Sequence, residues 1–494
     1  MTTFGAFMAM LNLSEPGGGE VICDNDSAIS NVGHLNGAIN VLRGVLNSKI
    51  SDQTPSIKNI SQLELSVNSA INGIVDRYCK LPYFSILLSG HPVDLVIEYQ
   101  HALLDIYLKI LNINSYKNSH CDDEISQSQL EVVERVAGIC LDCLYSSWLR
   151  MIEPKSIAWE SLLLAFDVAR KDNAGRGAKI FQAVTRAILL ALADPYSYAP
   201  QHAKQIYKII IKESHLFVLS FHRKPKSICF DLLTGTKKAD GLGVKHSPYS
   251  TIWLVFKSNM SFDEFKIYLQ TKYVDRYEID RCTTEKIVTS LAKKWCAGDV
   301  DVNDAKLRIS KPCFINVGLA SIINSATNIT EHKQNSIYAS SYNNALVLEF
   351  SKGRFIVEFQ YSEYRLFLPG IVIELLVPSS PGSYIGVLLW IKRNASSSVQ
   401  AGVQIISNDY YITSVTRAGD TSATRETNRT SAIAFAAEAT ESGLSELTII
   451  CSADILINTE SEFFRFPKNS KYYRIKNVVD VGLDHQILRL ANNL

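Results

Sequence analysis

The 494-residue sequence has little of what marks the specialised classes of protein. Its 25 glycines and 14 prolines are both below average usage, which excludes collagen-like chains and chains dominated by linkers. It has no excess of charge either, because 50 Lys and Arg residues meet 49 Asp and Glu residues. A formal net charge of +1 argues against binding nucleic acid through bulk charge, so we predict no DNA or RNA partner.

Signals for export and for membrane insertion are also missing. The N-terminal stretch has no basic region and only a short apolar run, so it does not resemble a signal peptide. The longest apolar runs, such as residues 187–193, fall far short of the ~20 residues that a spanning helix needs. The ten cysteines are scattered rather than dense, unlike those of a disulfide scaffold. We predict a cytoplasmic protein with reduced thiols and no membrane span.

Motifs of the common enzyme classes are absent from the sequence. There is no Walker A, GxGxxG, HExxH or GxSxG pattern, so we predict that the protein is not an enzyme. The pair Cys140 and Cys143, with His120 and Cys121 upstream, has the residue types of a Cys3His metal site. Both members of the pair fall on the apolar stripe of a helix, where Cys packs as a small hydrophobe. We therefore favour the packing role and predict no metal site.

The spacing of apolar residues changes along the chain from a helical pattern to a β pattern. From Ser61 to about residue 220, apolar residues recur at spacings of three and four, which is typical of helices. From Leu307 onward, short Val-, Ile- and Phe-rich runs end at turn residues with no helices between them, as in small barrels and sandwiches. We predict an α+β protein with five segments: an irregular N-terminal segment (1–60), a helical domain (61–220), a mixed α/β connecting segment (221–304), a β-barrel (305–415) and a small β tail (416–494).

This order of segments resembles a group of bacterial PilZ-domain proteins that have a long helical region ahead of the PilZ barrel. The resemblance covers about residues 61–494, and its most specific part is the strand pair at 385–393 and 400–407. Known members of the family bind the second messenger cyclic di-GMP and couple it to motility, pili, adhesion or exopolysaccharide output. The resemblance implies a PilZ-like antiparallel barrel at 305–415, cyclic di-GMP as the possible ligand with no other cofactor, and a protein partner in a motility, pilus or adhesion system.

The family's ligand motif begins with RxxxR at the barrel entrance and continues with [DN]-x-S-x-x-G on a strand. Two guanidinium groups clamp phosphates bidentately and stack on guanine, while the amide or carboxylate and the Ser reach guanine edges. At the predicted barrel entrance this sequence has Lys306, Arg308 and Lys311, so only one Arg remains. Lys is a point charge and does not reproduce the planar guanidinium fork.

The second half of the motif is also incomplete on the next predicted strand. In the best register the Ser is retained as Ser341, but Ala339 takes the acidic or amide position and Asn344 takes the glycine position. Asn343 is left as a reader of base edges, and Asn tolerates a positive φ. These residues complete the predicted ligand site.

Literal matches to each half of the motif occur elsewhere in the chain. Residues 12–17 fit the second half, but no Arg pair precedes them. Residues 425–429 fit RxxxR, but they follow the main barrel strands and have no downstream partner. Short patterns of this kind recur by chance, and we interpret both as chance matches.

Two functional hypotheses remain at this point. In the first, Arg308 grips a phosphate with help from Lys306 and Lys311, and ligand binding reorients the barrel against the helical region. In the second, the protein is a PilZ-like adaptor that no longer binds the nucleotide and acts through protein contacts. The two are separated by whether Arg308, Lys311 and Ser341 converge on one open pocket.

Overall fold

The computed structural model describes the greater part of the chain in twenty stretches. They are residues 24–47, 57–79, 92–118, 126–171, 176–224, 227–237, 250–257, 260–274, 281–296, 307–331, 343–351, 353–360, 368–378, 383–393, 398–417, 430–436, 447–452, 463–465, 472–481 and 485–492. The chain divides into two compact units, one formed by Met1–Pro195 with Pro200–Val302 and the other by Tyr196–Ala199 with Asn303–Leu494.

The first unit begins with helices. Among its described residues these are α1 (Asp24–Asn47), α2 (Ile57–Tyr78), α3 (Pro92–Asn118), α4 (Gln127–Leu149), α5 (Ser156–Lys171), α6 (Ala178–Leu192) and α7 (Pro200–Glu213). The run of helices predicted from the three-and-four spacing over 61–220 is present. None of the described helices combines the length and the apolarity needed to cross a bilayer.

Helix α4 is the centre of this helical part. Its start is fixed by a capping box, in which the Gln129 backbone N–H donates to Ser126 Oγ and the Ser126 backbone N–H donates to the Gln129 side chain. Helices α3, α5, α6 and α7 all pack against it. Its end is anchored by Arg150, whose buried guanidinium makes two hydrogen bonds of 2.6 and 3.0 Å to Asp94 of α3.

The prediction of an irregular segment over residues 1–60 is wrong for residues 24–47, which form α1. The buried positions Leu35, Ala38, Ile39 and Leu42 have helical spacing and pack the helix against α2 and α3. The many Asn, Ser and Gly residues of this segment occupy other positions and obscure the apolar stripe. Tertiary packing outweighs a weak local helix propensity here.

A small sheet and two further helices complete the first unit. The described strands are β1 (Phe217–Ser220), β2 (Ile228–Asp231), β3 (Thr236–Lys237) and β4 (Thr251–Phe256), in the order β1–β4–β2–β3 and antiparallel throughout. They are followed by α8 (Phe262–Tyr273) and α9 (Arg281–Cys296). A capping box of Ser261 and Glu264 fixes the start of α8.

The second unit opens with a closed six-stranded antiparallel barrel. Its strands are β5 (Leu307–Val317), β6 (Asn343–Ser351), β7 (Arg354–Gln360), β8 (Val372–Leu376), β9 (Ser383–Arg393) and β10 (Ser398–Ser407), with ring order β10–β7–β6–β5–β8–β9. A helix, α10 (Leu319–Glu331), follows β5, which corrects the expectation of strands with no helix between them. Gly318 makes the turn into α10 with φ of +90°, a conformation that favours glycine.

The predicted small β tail is a second closed six-stranded barrel. Its strands are β11 (Tyr411–Arg417), β12 (Thr430–Ala436), β13 (Leu447–Ser452), β14 (Phe463–Arg465), β15 (Tyr472–Val481) and β16 (His485–Asn492), with ring order β11–β12–β13–β16–β15–β14. The second barrel begins at Tyr411, so the predicted boundary at 415/416 cuts through its first strand. The α+β class and the order of helices before barrel are confirmed.

Candidate functional site

The predicted ligand residues that the structure describes lie at different points along one strand pair of the first barrel. On the described backbone, Arg308 of β5 lies opposite Glu349 of β6, and after a bulge the exposed Lys311 lies opposite Val347. Lys306 lies outside the described residues. The position facing Arg308 is therefore occupied by a carboxylate, which disfavours an anionic ligand at that point of the ladder.

The predicted base-reading residues lie at the other end of the same strand pair. Asn343 is opposite Ile315 and Asn344 is opposite Phe314. From Arg308 to Ile315 the strand runs for about 20 Å at its usual rise per residue. The backbone thus separates Arg308 from both asparagines, while Ser341 lies outside the described residues.

The geometry of antiparallel pairing explains this separation. The start of one strand faces the end of its partner, so a motif that joins a barrel entrance to the following strand needs its second half at that strand's end. The predicted register instead uses the start of β6. Sequence alone does not fix the register of β5 against β6. That register depends on how the two strands meet after the intervening residues 318–342 and on the bulge between Arg308 and Lys311.

The second barrel contains the strand, β12, that follows the literal RxxxR pattern in the sequence. The literal RxxxR at 425–429 directly precedes β12 in the sequence, although these five residues lie outside the described part of the chain. Strand β12 pairs with β13 so that Ile433 faces Ile450. Continuing this register by two residues toward the start of β12 sets Ser431 opposite Ser452, the last residue of β13.

Ser452 is thus the last residue of β13, opposite Ser431, which follows the RxxxR pattern by two residues in the sequence. Measured from Ser452, the acidic or amide position holds Ile450 and the glycine position holds Ile455, so the second half of the motif retains only its Ser. The opposite neighbour of Ser452 on β16 is His485, which is fully buried. The interpretation of 425–429 as a chance match stays a prediction, because these residues lie outside the described part of the chain.

The two barrels share a hydrophobic core within the second unit. Apolar side chains from α10, β8 and β9 pack together with side chains from β12, β13 and β16 of the second barrel. They are Leu319, Ile322, Ile323, Val372, Ile385, Val387, Ile433, Phe435, Ile450 and Ile487. Ile433 and Ile450 belong to the strand pair β12–β13, which ends at Ser431 and Ser452. Packed side chains therefore connect this strand pair to the shared core.

A polar contact lies at the short connection between the barrels. Tyr410, immediately before β11, donates a hydrogen bond to the buried carboxylate of Glu374 on β8. The same hydroxyl contacts the Ser383 hydroxyl on β9. Burial, together with the charge of Glu374, raises the pKa of Tyr410, so the phenol stays protonated. The chain passes from β10 to β11 in only residues 408–410, which ties one barrel closely to the other.

The cysteine pair lies in the helical core. Cys140 and Cys143 are both fully buried on α4, and burial raises the pKa of both thiols. His120 and Cys121 lie outside the described residues. Among the residues that are described, no three His, Cys, Asp or Glu side chains gather into a group that fits a metal ion.

Comparison with known protein families relates part of the chain to a described domain. Residues 38–225 match the family model described as the N-terminal domain of the cyclic-di-GMP receptor FimW. The matched region runs from within α1 through α7 and β1, so it contains the helical part of the first unit and neither barrel. No curated protein matches the chain. The helical region is thus similar to the N-terminal domain of a receptor for this nucleotide.

Proposed function

We propose that this protein is a cyclic di-GMP-responsive regulator of bacterial surface behaviour: motility, pili, adhesion or exopolysaccharide output. The observation that carries the proposal is the match of residues 38–225 to the N-terminal domain of a cyclic-di-GMP receptor. The resemblance of the later strands to PilZ proteins points to the same ligand from a separate part of the chain. A regulator with a helical region and a PilZ-like barrel binds the nucleotide on the barrel. The conformational change that follows binding is transmitted through packed helices and strands.

The second barrel is the location that we propose for the nucleotide. Arg425 and Arg429 supply the two guanidinium groups that grip phosphates and stack on guanine. Ser452, the last residue of β13, is the polar group that we propose to bind beside them. Isoleucines at the two other motif positions remove one base-edge contact and the close approach that glycine allows, so we expect a weaker site than a complete motif forms.

The first barrel is the rival location for the nucleotide. There Arg308, Lys311 and Lys306 would hold a phosphate, and Ser341 and Asn343 would read guanine. The facing Glu349 and the distance to Asn343 along the strands count against it. The two locations predict different effects of single Arg substitutions.

Competition against a fluorescent cyclic di-GMP separates the two locations. We expect Arg425→Ala or Arg429→Ala to weaken binding by about 2 kcal/mol, or roughly thirtyfold, since each removes charge-assisted hydrogen bonds to phosphate. Arg308→Ala is the matched control, and we expect it to change affinity by less than about twofold. A large loss in Arg308→Ala with none in the other two variants would assign the nucleotide to the first barrel.

The adaptor remains the second candidate function because of an apolar strip on the first barrel. Phe314, Leu346 and Phe350 on the outer side of β5 and β6 are 41%, 42% and 38% exposed. Contiguous exposed apolar side chains mark surfaces for protein contacts. The adaptor predicts that cyclic di-GMP binds to none of the proteins above, and that Phe314→Ser and Leu346→Ser disrupt partner binding without affecting folding.

A further inference from the structure

Strand β1 lies at the edge of the small sheet in the first unit. The strand order is β1–β4–β2–β3, and no described strand pairs with β1 on its side away from β4. The Lys257 backbone N–H donates to the Leu216 carbonyl at 2.9 Å, which fixes the hydrogen-bonded positions of the β1–β4 pair. The antiparallel alternation then directs the backbone groups of Val218 and Ser220 toward β4 and those of Leu219 outward.

The outward backbone groups of Leu219 are open to pairing with a further strand. No hydrogen bond from the described residues reaches its N–H or its C=O. Solvent reaches the strand here, because Val218 is 38% exposed and Phe221, the residue that follows β1, is 42% exposed. Unpaired backbone groups beside exposed apolar side chains are the features by which a sheet edge accepts another strand.

The edge strand itself is held firmly by packing at both of its ends. The buried Phe217 ring lies against Phe265 of α8 and Trp295 of α9, with ring centroids 6.3 and 6.0 Å away. At the other end, Ser220 Oγ donates to the His222 carbonyl at 2.8 Å and closes the turn that follows the strand. The strand is thus extended before a partner arrives, so pairing with it costs little conformational entropy on this side.

Positive charge lies beside the end of β1. The Arg170 guanidinium of α5 is 5.5 Å from the centre of the Phe221 ring, and the Arg223 guanidinium is 5.9 Å from the centre of the Trp253 ring. Trp253 on β4 is the residue opposite Ser220, the last residue of β1. Both arginines are exposed, so two cations are presented to solvent where the edge strand ends.

The start of β1 is positive as well. The exposed Lys257 ammonium donates to the His215 carbonyl at 3.0 Å, two residues before the strand. Glu213 does not offset this charge, because it is fully buried and paired with a lysine of α8. At the other end Asp167 contacts Arg170 at 3.7 Å, which leaves Arg223 in excess. The two positive ends are about 13 Å apart, the length of four strand residues.

We propose that the β1 edge binds an extended acidic segment of a partner protein, which adds to the small sheet as a further strand. The backbone of the segment pairs with Leu219, its apolar side chains cover Val218 and Phe221, and its carboxylates pair with the cations at the two ends. Positive charge at the edge disfavours β1 of a second copy of this chain as the occupant. A lipid surface or a nucleic acid lacks the alternating backbone donors and acceptors of a strand. The proposal does not depend on where cyclic di-GMP binds.

Fluorescence anisotropy of a labelled peptide titrated with the full chain tests the edge. The probe is an eight-residue peptide that alternates glutamate and valine, and its counterpart alternates lysine and valine. We expect the glutamate peptide to bind and the lysine peptide to show no change. N-methylation of the amides of the glutamate peptide removes its backbone donors and keeps every charge, so binding should be lost. Equal binding of the methylated peptide, or no binding of the glutamate peptide, would overturn the proposal.

A proline at the outward position tests the strand pairing from the side of the protein. Leu219→Pro removes the outward N–H and no hydrogen bond between β1 and β4, and an edge strand tolerates proline at such a position. We expect at least a tenfold loss of affinity for the glutamate peptide. Leu219→Ala is the matched control, because it loses the leucine side chain and keeps the N–H, and it should stay within threefold of the wild type. Equal affinity in the two variants would contradict strand pairing.

The cations are tested by replacing Arg170 and Arg223 together with glutamine. We expect at least a fivefold loss of affinity and a weaker dependence of binding on salt. Arg43→Gln, which removes an exposed cation of α1 in the same unit, should leave affinity within twofold. These exposed substitutions also test the proposal if Leu219→Pro fails to fold. Binding of the wild type to vesicles of an anionic phospholipid, without competition from the glutamate peptide, would assign the surface to lipid and overturn the proposal.

Discussion

Glu213 shows how the surroundings of a carboxyl group decide whether it is ionised. Glu213 is fully buried at the end of α7, but its carboxylate accepts hydrogen bonds from Tyr268 and Tyr273 and pairs with Lys272 at 2.8 Å. Burial alone would raise its pKa, and the hydrogen bonds from α8 outweigh burial and hold the pKa of Glu213 below its ordinary value.

The depressed pKa of Glu213 makes stability depend on pH. Since the unfolded chain binds the proton more readily, the carboxylate stabilises the fold above its ordinary pKa, and this contribution is lost as pH falls through the folded pKa. We expect Glu213→Gln to reduce the free energy of unfolding by about 2 kcal/mol at pH 7. Urea unfolding should show this difference shrinking at pH 4 and below.

The control for this prediction is Glu131→Gln on α4, which removes an exposed carboxylate. It should change stability by less than ~0.5 kcal/mol at either pH. If Glu213→Gln and the wild type differ by the same amount at pH 7 and at pH 3, the hydrogen-bonded carboxylate is not the source of the effect.

At the scale of elements, strands β9 and β10 depend on two glycines. A Cβ at Gly386 would lie 2.5 Å from the backbone oxygen of Gln404, and a Cβ at Gly402 would lie 2.1 Å from the indole nitrogen of Trp390. The Trp390 ring is a side chain that can rotate, but the Gln404 carbonyl is held in the strand pair. The barrel therefore tolerates a side chain at Gly402 better than one at Gly386.

This difference is measurable by matched glycine-to-alanine substitutions. We expect Gly386→Ala to destabilise the protein by about 2 kcal/mol, since the strands must move apart. Gly33→Ala in α1 is the control, because its Cβ meets nothing within 4 Å, and it should stabilise the helix by up to ~1 kcal/mol. Thermal unfolding of the three proteins tests the order, and a Gly386→Ala variant as stable as the wild type would refute the close approach of β9 and β10.

Local patterns were enough to predict several elements but not the site. The cap of α8 depends on Ser261 and Glu264 alone, three residues apart, so the sequence reveals it. The pairing of Arg308 with Glu349 depends on a chain reversal through α10 and on a bulge. Those are non-local features, and a shift of one residue moves every side chain to the other face of the strand. The separation of Arg308 from Asn343 along one strand pair could therefore not be predicted from the sequence.

At the scale of the whole molecule, barrel closure could not be foreseen from the strand runs. A ring closes only when its first and last strands meet, as β11 does with β14 and β12 in the second barrel. This non-local event turned the expected tail into a barrel. The core shared by the two barrels connects β12 and β13 to the first barrel through α10.

The measurement that tests the central claim most directly is a calorimetric titration of the full chain with cyclic di-GMP. The account predicts micromolar or tighter binding, about −8 kcal/mol or better, that is lost when Arg425 and Arg429 are both replaced by Ala. The double variant should keep the melting temperature of the unliganded wild type. No heat with the wild type, together with a melting temperature that stays unchanged at high ligand concentration, would contradict the receptor function and favour the adaptor.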